Sequence, residues 1–410
     1  MFIGGTGGKL GLHFTAETAW PEPDNLDGAV NFWREAQREF ANADAFLAYL
    51  QKSKKLASLS FERDKRQKDV IHVVDRRLIG LKGYAMDKKV DLEFAGNLKQ
   101  LCWPLHRRIG NLARKRGGSI GSPYWTDDTT EICLSVKDRP VRGLLTEAVP
   151  VKCYNRFLWT AETDLTDVNG RRFHTLVSYS GLDPSHRRPS PPHNSPWYIP
   201  LLDLAGERLG CRFTLETVFR EANDPHVCPP PMSKEEEDEM YEVDIDTAIV
   251  RALVSKDEEK ETFKSVDAFL EKFSKLIPWM VAVKDGRHPK IVHLVDKKLL
   301  KLKDYPLDRR LSIEYAGSPH GLVMAVAKQV KSVGPLWFGE KFTPYGGEDY
   351  PRIEVRDKEQ TLRNVLTDAV PSQTYSQVLW HARTWLRKNG PETTIEYHEL
   401  WKHEPEKKPK

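Results

Sequence analysis

The sequence predicts an α+β protein built as a tandem duplication of one mixed, largely antiparallel sheet-and-helix unit. The stretch LGLHFTAETAW (10–20) is matched by LGCRFTLETVF (209–219), with six identical residues in the same order. A longer match joins residues 70–96 to residues 291–317 at a constant offset of 221. A period this long exceeds the ~20–50 residues of solenoid repeats, so each copy is expected to form a domain.

Changes in composition divide the chain into segments. The repeat copies span 1–183 and 205–404, and the Pro- and Ser-rich stretch 184–204 between them is predicted to be an extended linker. Copy two carries an acidic insertion, 223–246, and the chain ends in a charged tail, 405–410. An acidic run of this kind is typical of a solvated, mobile loop and offers a docking arm for a protein partner.

Hydrophobic periodicity places strands and helices within each copy. In copy one, alternation or short apolar runs predict strands at 11–20, 70–75, 90–96, 130–136 and 173–180. Apolar residues at helical spacing predict helices at 29–40, 44–52, 98–116, 140–149 and 152–161. Because these elements do not alternate strictly as strand–helix–strand, we expect the helices to cover one face of the sheet.

Composition excludes several classes of protein. The 410 residues are 39% hydrophobic and 30% charged, and no apolar run approaches the ~20 residues that span a bilayer. The first residues lack the pattern of a signal or transit peptide, which predicts a cytoplasmic or nuclear location. The five cysteines form no CxxC pair, so we expect reduced, buried thiols rather than disulfides or a zinc site.

Polar residues recur at matched strand positions of the two copies. Three carboxylates and an imidazole per copy are residue types that bind a hard divalent cation or transfer protons. The alternative is that they are side chains on the solvent face of half-exposed strands, or residues that open turns. The matched residues are Glu17 with Glu216, His72 with His293, Asp75 with Asp296, and Glu93 with Glu314.

The opening strand of each copy resembles that of the amidoligase-like proteins, carboxylate–amine ligases of the glutamine-synthetase type. That family's strand has the form FGVEIEF, and its second Glu is replaced here by Ala19 and Val218. The residues that match its frame are Phe14, Glu17 and Trp20 in copy one, and Phe213, Glu216 and Phe219 in copy two.

The middle of the family pattern is met by VDKKL (295–299) and IEYAGSP (313–319), and less closely by the copy-one equivalents. The family's His-x-His strand has no counterpart, since ICLSV (132–136) and RIEVRD (352–357) stand in its place. The resemblance implies ATP and Mg²⁺ as cofactors. The metal ligands it implies are Glu17, Asp75 and Glu93 in copy one, and Glu216, Asp296 and Glu314 in copy two.

Positive charge is concentrated in the repeats. Residues 43–163 contain 23 Lys and Arg against 14 Asp and Glu, a net +9, and residues 266–385 carry a net +5. Basic side chains on a helix suit contacts with phosphates, although a solvated helix face opposite Leu101 and Leu105 explains them equally well. The candidate nucleic-acid-binding residues are Arg107, Arg108, Arg114, Lys115 and Arg116.

These observations favour a non-catalytic binding or scaffold protein. Its expected partner is a polyanion such as RNA, held by the basic helix of copy one without a cofactor. One alternative is a divergent carboxylate–amine ligase that depends on ATP and Mg²⁺. The other is a structural subunit of a larger assembly.

Overall fold

A computed structural model describes most of the chain. The described residues are 2–20, 39–110, 112–114, 131–154, 156–165, 174–179, 181, 183, 186, 198–231, 233–234, 265–335, 352–370 and 376–398. The helix predicted at 29–40, the acidic run 235–239 and the charged tail 405–410 therefore lie wholly or almost wholly outside the described residues.

The chain forms two compact units. Unit 1 comprises Met1–Pro196 and Arg220–Lys234, and unit 2 comprises Trp197–Phe219 and Glu235–Lys410. Both combine helices with mixed sheets, so the α+β class is confirmed.

In unit 1, the described strands form one six-stranded sheet and one two-stranded sheet. The six-stranded sheet has the order β2-β3-β1-β7-β8-β5, and β4 pairs with β6. The strands are β1 (His13–Trp20), β2 (Leu59–Arg63), β3 (Val70–Asp75), β4 (Lys89–Asn97), β5 (Leu112–Arg114), β6 (Glu131–Pro140), β7 (Phe157–Asp164) and β8 (His174–Tyr179). The helices are α1 (Phe2–Lys9), α2 (Ala43–Lys52), α3 (Cys102–Ile109) and α4 (Val141–Ala148).

Unit 2 has the corresponding strand order among its described residues. Its larger sheet runs β10-β11-β9-β15-β16-β13, and β12 pairs with β14. The strands are β9 (Arg212–Val218), β10 (Met280–Lys284), β11 (Ile291–Asp296), β12 (Arg310–Gly317), β13 (Val333–Pro335), β14 (Ile353–Thr361), β15 (Val378–Arg387) and β16 (Gly390–Tyr397). The helices are α5 (Ile199–Leu209), α6 (Val266–Leu276), α7 (Pro319–Gln329) and α8 (Leu362–Asp368). Tandem duplication remains an interpretation of the sequence, with which this common order agrees.

The centre of each large sheet is parallel. In unit 1, β1 pairs in parallel with both β3 and β7, whereas the pairs β2–β3 and β7–β8 are antiparallel. The prediction of largely antiparallel pairing therefore fails for the central strands. Parallel strands are normally covered on both faces, so this centre can lie deep within the unit.

Helices cover both faces of the sheet, in contrast to the single face that the sequence predicted. On β3, Ile71 and Val73 pack in one cluster with Phe46 and Leu50 of α2. Val70 and Val74 of β3 belong to the opposite cluster, where Leu105 of α3 and Leu144 of α4 also lie. Because successive strand residues point to opposite faces, β3 is buried on both sides.

Two predicted helices of copy one were wrong in whole or in part. Residues 157–161 of the helix predicted at 152–161 lie in β7. Within the helix predicted at 98–116, residues 98–100 form a 3-10 helix and α3 follows, with Gly110 as its C-cap at a φ of 80°. Glycine adopts this left-handed conformation without steric cost, so the chain leaves the helix there and forms β5.

The observed unit boundaries differ from the predicted ones. Residues 199–204 of the predicted linker are part of α5. Residues 220–234, which include the start of the predicted insertion, belong to unit 1. There the carbonyl of Arg220 accepts a hydrogen bond from the N–H of Cys133, and Ala222 joins the apolar core.

The structure bears on the oxidation state of the cysteines and on membrane-spanning helices. Cys228 is disulfide-bonded, so the expectation of reduced thiols is wrong for this residue. The described thiols of Cys102, Cys133 and Cys211 are outside disulfides. No helix in the described part of the chain is long and apolar enough to cross a membrane.

Candidate functional site

The recurring glutamate of the opening strand is a buried ion-pair partner. Glu17 on β1 is fully buried, and both of its carboxylate oxygens accept hydrogen bonds from Arg142 of α4. The hydroxyl of Tyr84 donates to Glu17 Oε2 at 2.8 Å. A buried carboxylate is stable only when its charge is paired and its lone pairs are satisfied, which this arrangement achieves.

Unit 2 repeats the ion pair with its own residues. Arg363 of α8 donates to Glu216 from Nε at 2.5 Å and from Nη2 at 2.9 Å. Its Nη1 donates to Asp308 at 2.7 Å, as Arg142 Nη1 donates to Asp87 at 2.8 Å. Burial acts to lower the pKa of both arginines, but the hydrogen bonds and charges of these carboxylates outweigh it and raise the pKa.

The recurring aspartates hold turns. Asp75 Oδ1 accepts the backbone N–H of Arg77 at 2.9 Å, and the Arg77 side chain donates to Asp75 Oδ2 at 2.7 Å. Burial acts to raise the pKa of Asp75, but its hydrogen bonds to Arg77 outweigh burial and lower the pKa. Asp296 Oδ1 likewise accepts the N–H of Lys298 at 2.9 Å.

The third recurring carboxylate lies on a different sheet. Glu93 is exposed on β4 and Glu314 is exposed on β12, in the two-stranded sheets rather than beside β1 and β9. Among the described residues, no group of three or more His, Cys, Asp or Glu side chains could hold a metal ion. The six acidic residues that resemble ligase ligands are therefore not brought together as a metal centre.

A second buried network passes through the recurring histidine. In unit 1, His72 Nδ1 lies 2.8 Å from Thr15 Oγ1, and His72 Nε2 lies 2.9 Å from Asp64 Oδ2. Asp64 also accepts the backbone N–H groups of Arg66 and Gln67, each at 2.8 Å. Because the carboxylate can only accept, the Nε2 atom carries the proton that it donates to Asp64.

The same chain of hydrogen bonds exists in unit 2. His293 lies 2.8 Å from Thr214 and 2.9 Å from Asp285. Both threonines are fully buried, and both ring nitrogens of each histidine are engaged. The arrangement therefore holds each strand to the neighbouring turn, and it does not present the threonine hydroxyl as a nucleophile. Asp64 and Asp285 share the repeat offset of 221, the one signal that could have found them in the sequence.

The basic residues predicted for nucleic-acid binding are divided between two elements. Arg107 and Arg108 are exposed in the last turn of α3. Arg114 lies on β5, while Lys115 and Arg116 lie outside the described residues. Trp103, on the same helix as the first two arginines, is 65% exposed.

Unit 2 contains a half-open cavity of about 310 Å³ that both buried networks reach. Its lining combines charged, hydrogen-bonding and apolar side chains. The lining residues are Val283, Lys284, Asp285, Gly286, His293, Val295, Leu299, Leu300, Tyr305, Asp308, Arg363 and Asn364.

Comparison of the chain with protein-family models, with curated proteins and with solved structures finds no match.

Replacing Arg142 with Met should destabilise the protein by about 3–5 kcal/mol, because Glu17 would be left buried without its counterion. Adding Glu17→Leu should recover part of that loss. Removal of the exposed Lys89–Asp138 pair by Lys89→Gln should cost less than about 1 kcal/mol. Denaturant unfolding of the full chain measures all three, and equal losses for Arg142→Met and Lys89→Gln would contradict the assignment.

The Asp64 network predicts an acid-dependent loss of stability. Burial acts to raise the pKa of Asp64, but hydrogen bonds from His72 and from backbone N–H groups outweigh burial and lower the pKa to about 2. A lowered pKa stabilises the fold above the unfolded value of about 3.9, and the gain is lost as pH falls towards 2. Between pH 5 and 2, wild type should lose about 2 kcal/mol more than Asp64→Asn. Parallel curves of unfolding free energy against pH would contradict this.

Proposed function

We propose that this chain is a non-catalytic binding or scaffold protein that engages single-stranded RNA through the exposed side of α3. The observation that carries the proposal is the exposed Trp103 beside two exposed arginines on one short helix. We call Trp103, His106, Arg107 and Arg108 the α3 surface.

The spacing of the α3 surface suits a nucleic acid. Trp103, His106 and Arg107 stand at positions i, i+3 and i+4, which places them on one side of the helix. The opposite side buries Cys102 and Leu105 in the core of unit 1. An aromatic ring accepts an unpaired base by stacking while arginines contact phosphates, and this combination is typical of single-strand binding sites.

The charge around the helix supports the same partner. Residues 43–163 carry a net +9, whereas the whole chain carries only +4. A concentrated positive field attracts a polyanion from solution, and bound phosphates release counterions. Arg114 follows α3 closely in the chain, so its backbone position on β5 is compatible with an extension of this surface.

The geometry favours this proposal over the ligase alternative. Glu17 and Glu216, which the resemblance would assign to Mg²⁺, both form hydrogen-bonded ion pairs with arginine. A divalent cation needs several oxygens directed at one point, and a carboxylate bound by a guanidinium is poorly placed to supply them.

The α3 surface has a matched control in unit 2. At the offset of 221, Met324 on α7 corresponds to Trp103 and Lys328 corresponds to Arg107. Met324 is 37% exposed and Lys328 is exposed, so substitutions there change a comparable helix surface.

The double substitution Arg107→Gln and Arg108→Gln should weaken binding of a labelled oligouridylate. It should also reduce the salt slope of log K by about 1.4, since each lost phosphate contact on a single strand accounts for about 0.7. Trp103→Ala should weaken binding by about 1–3 kcal/mol per stacked base without changing that slope. Fluorescence anisotropy across a salt series measures both quantities.

The control variant, Met324→Ala with Lys328→Gln, should bind as the wild type does. Equal weakening by the control and the α3 variants would show nonspecific attraction to positive charge. An unchanged salt slope in Arg107→Gln/Arg108→Gln would exclude the α3 surface as the phosphate-binding site.

A further inference from the structure

We propose that the cavity of unit 2 binds a small zwitterion with an apolar side chain, of the chemical class of an apolar α-amino acid. The inference is independent of the α3 surface, because all of the cavity residues lie in unit 2.

The cavity is half open to solvent and is lined in part by buried polar side chains. Its volume of about 310 Å³ lies at the lower end of the ~300–1,000 Å³ typical of small-molecule pockets. Three of its polar lining residues, Asp285, His293 and Tyr305, are more than nine-tenths buried. Their positions are fixed by the surrounding core, so the site is largely formed before a ligand enters.

One side of the cavity is apolar and partly open. Val283 is 44% exposed and Leu300 is 55% exposed, whereas Val295 and Leu299 beside them are buried. Exposed apolar side chains grouped at a cavity mark a surface that gains free energy when an apolar group covers it. The ligand therefore has an apolar part that fits against Val283 and Leu300.

Hydrogen-bond donors remain available on the polar side. Arg363 has five N–H groups, of which three donate to Glu216 and Asp308. The Tyr305 hydroxyl is enclosed beside Glu216 and Thr384 and is not counted among these donors. The two remaining N–H groups of Arg363 can therefore bind a carboxylate.

The charges of the cavity lining favour a zwitterionic ligand over an anionic one. Lys284 and Arg363 line the cavity, but so do Asp285 and Asp308, and Glu216 already balances Arg363. A ligand with a net negative charge would find no uncompensated positive charge there. A zwitterion adds no net charge to the cavity: its carboxylate can accept the remaining N–H groups of Arg363 while its ammonium group donates to the second oxygen of Asp308.

Unit 1 differs at the residues that shape this cavity. The positions that correspond to Val283, Gly286 and Asn364 are Glu62, Lys65 and Gly143. Glu62 replaces part of the apolar wall with a carboxylate, and Lys65 adds a long cation at the turn. The two units share the buried networks but not the lining, so binding is assigned to unit 2 alone.

The test uses three probes that share one apolar body. L-Leucine is the zwitterion, 4-methylpentanoate lacks the ammonium group, and L-leucinamide lacks the carboxylate. Isothermal titration with the full chain should show that leucine binds and that each analogue binds at least about tenfold more weakly. Equal affinity for 4-methylpentanoate would overturn the proposal in favour of an anion site.

A matched pair of variants, one in each unit, tests whether leucine binds in unit 2. Leu300→Glu should weaken leucine binding at least about tenfold, because it places a carboxylate in the apolar wall. Ile79, the corresponding residue of unit 1, is 53% exposed, and Ile79→Glu should leave binding unchanged. Equal effects of the two variants would overturn the assignment to unit 2. Absence of binding by leucine at millimolar concentration in the folded wild type would overturn the proposal itself, and neither result bears on RNA binding by α3.

Discussion

Burial of both faces of the central parallel strands is the constraint on which each unit depends. β1 and β9 each lie between two parallel neighbours and carry a glutamate that water does not reach. A carboxylate there requires a counterion, and a helix residue, Arg142 or Arg363, supplies it. The ion pair therefore ties α4 or α8 to the sheet, and the second contact of each arginine ties the helix to the turn before β4 or β12.

A common framework in the two units carries different surfaces. The carboxylate–arginine and histidine–aspartate pairs are found in both units, and a change to one partner would leave the other buried without a hydrogen bond. Exposed positions are under no such restriction. The exposed helix position occupied by Trp103 in unit 1 is Met324 in unit 2, and the wall residue Val283 of unit 2 is Glu62 in unit 1. Differences of this kind allow one fold to present an aromatic surface in one unit and a lined cavity in the other.

Much of the fold followed from sequence patterns, whereas the buried contacts did not. Alternation predicted β1, and the repeat offset identified the polar positions that recur in both units. β7 was mistaken for a helix because Phe157, Leu158 and Trp159 form an apolar run, and a strand covered on both faces loses its alternation. The partners of Glu17 and His72 were missed because Arg142 and Asp64 are distant from them along the chain or lie in a turn. Their recurrence in unit 2 was the available signal, but it does not by itself say which residues meet.

The path of residues 220–234 has a consequence for how the protein can be divided. These residues follow β9 of unit 2, yet Ala222, Val227 and Cys228 complete the core of unit 1. Cutting the chain within the Pro- and Ser-rich stretch would give a first fragment with an open core and a second fragment carrying apolar residues that belong elsewhere. Neither unit can therefore be expressed intact as one continuous fragment that excludes the other. Any recombination between the two units would have to preserve this segment, so a single cut in the chain cannot separate them intact.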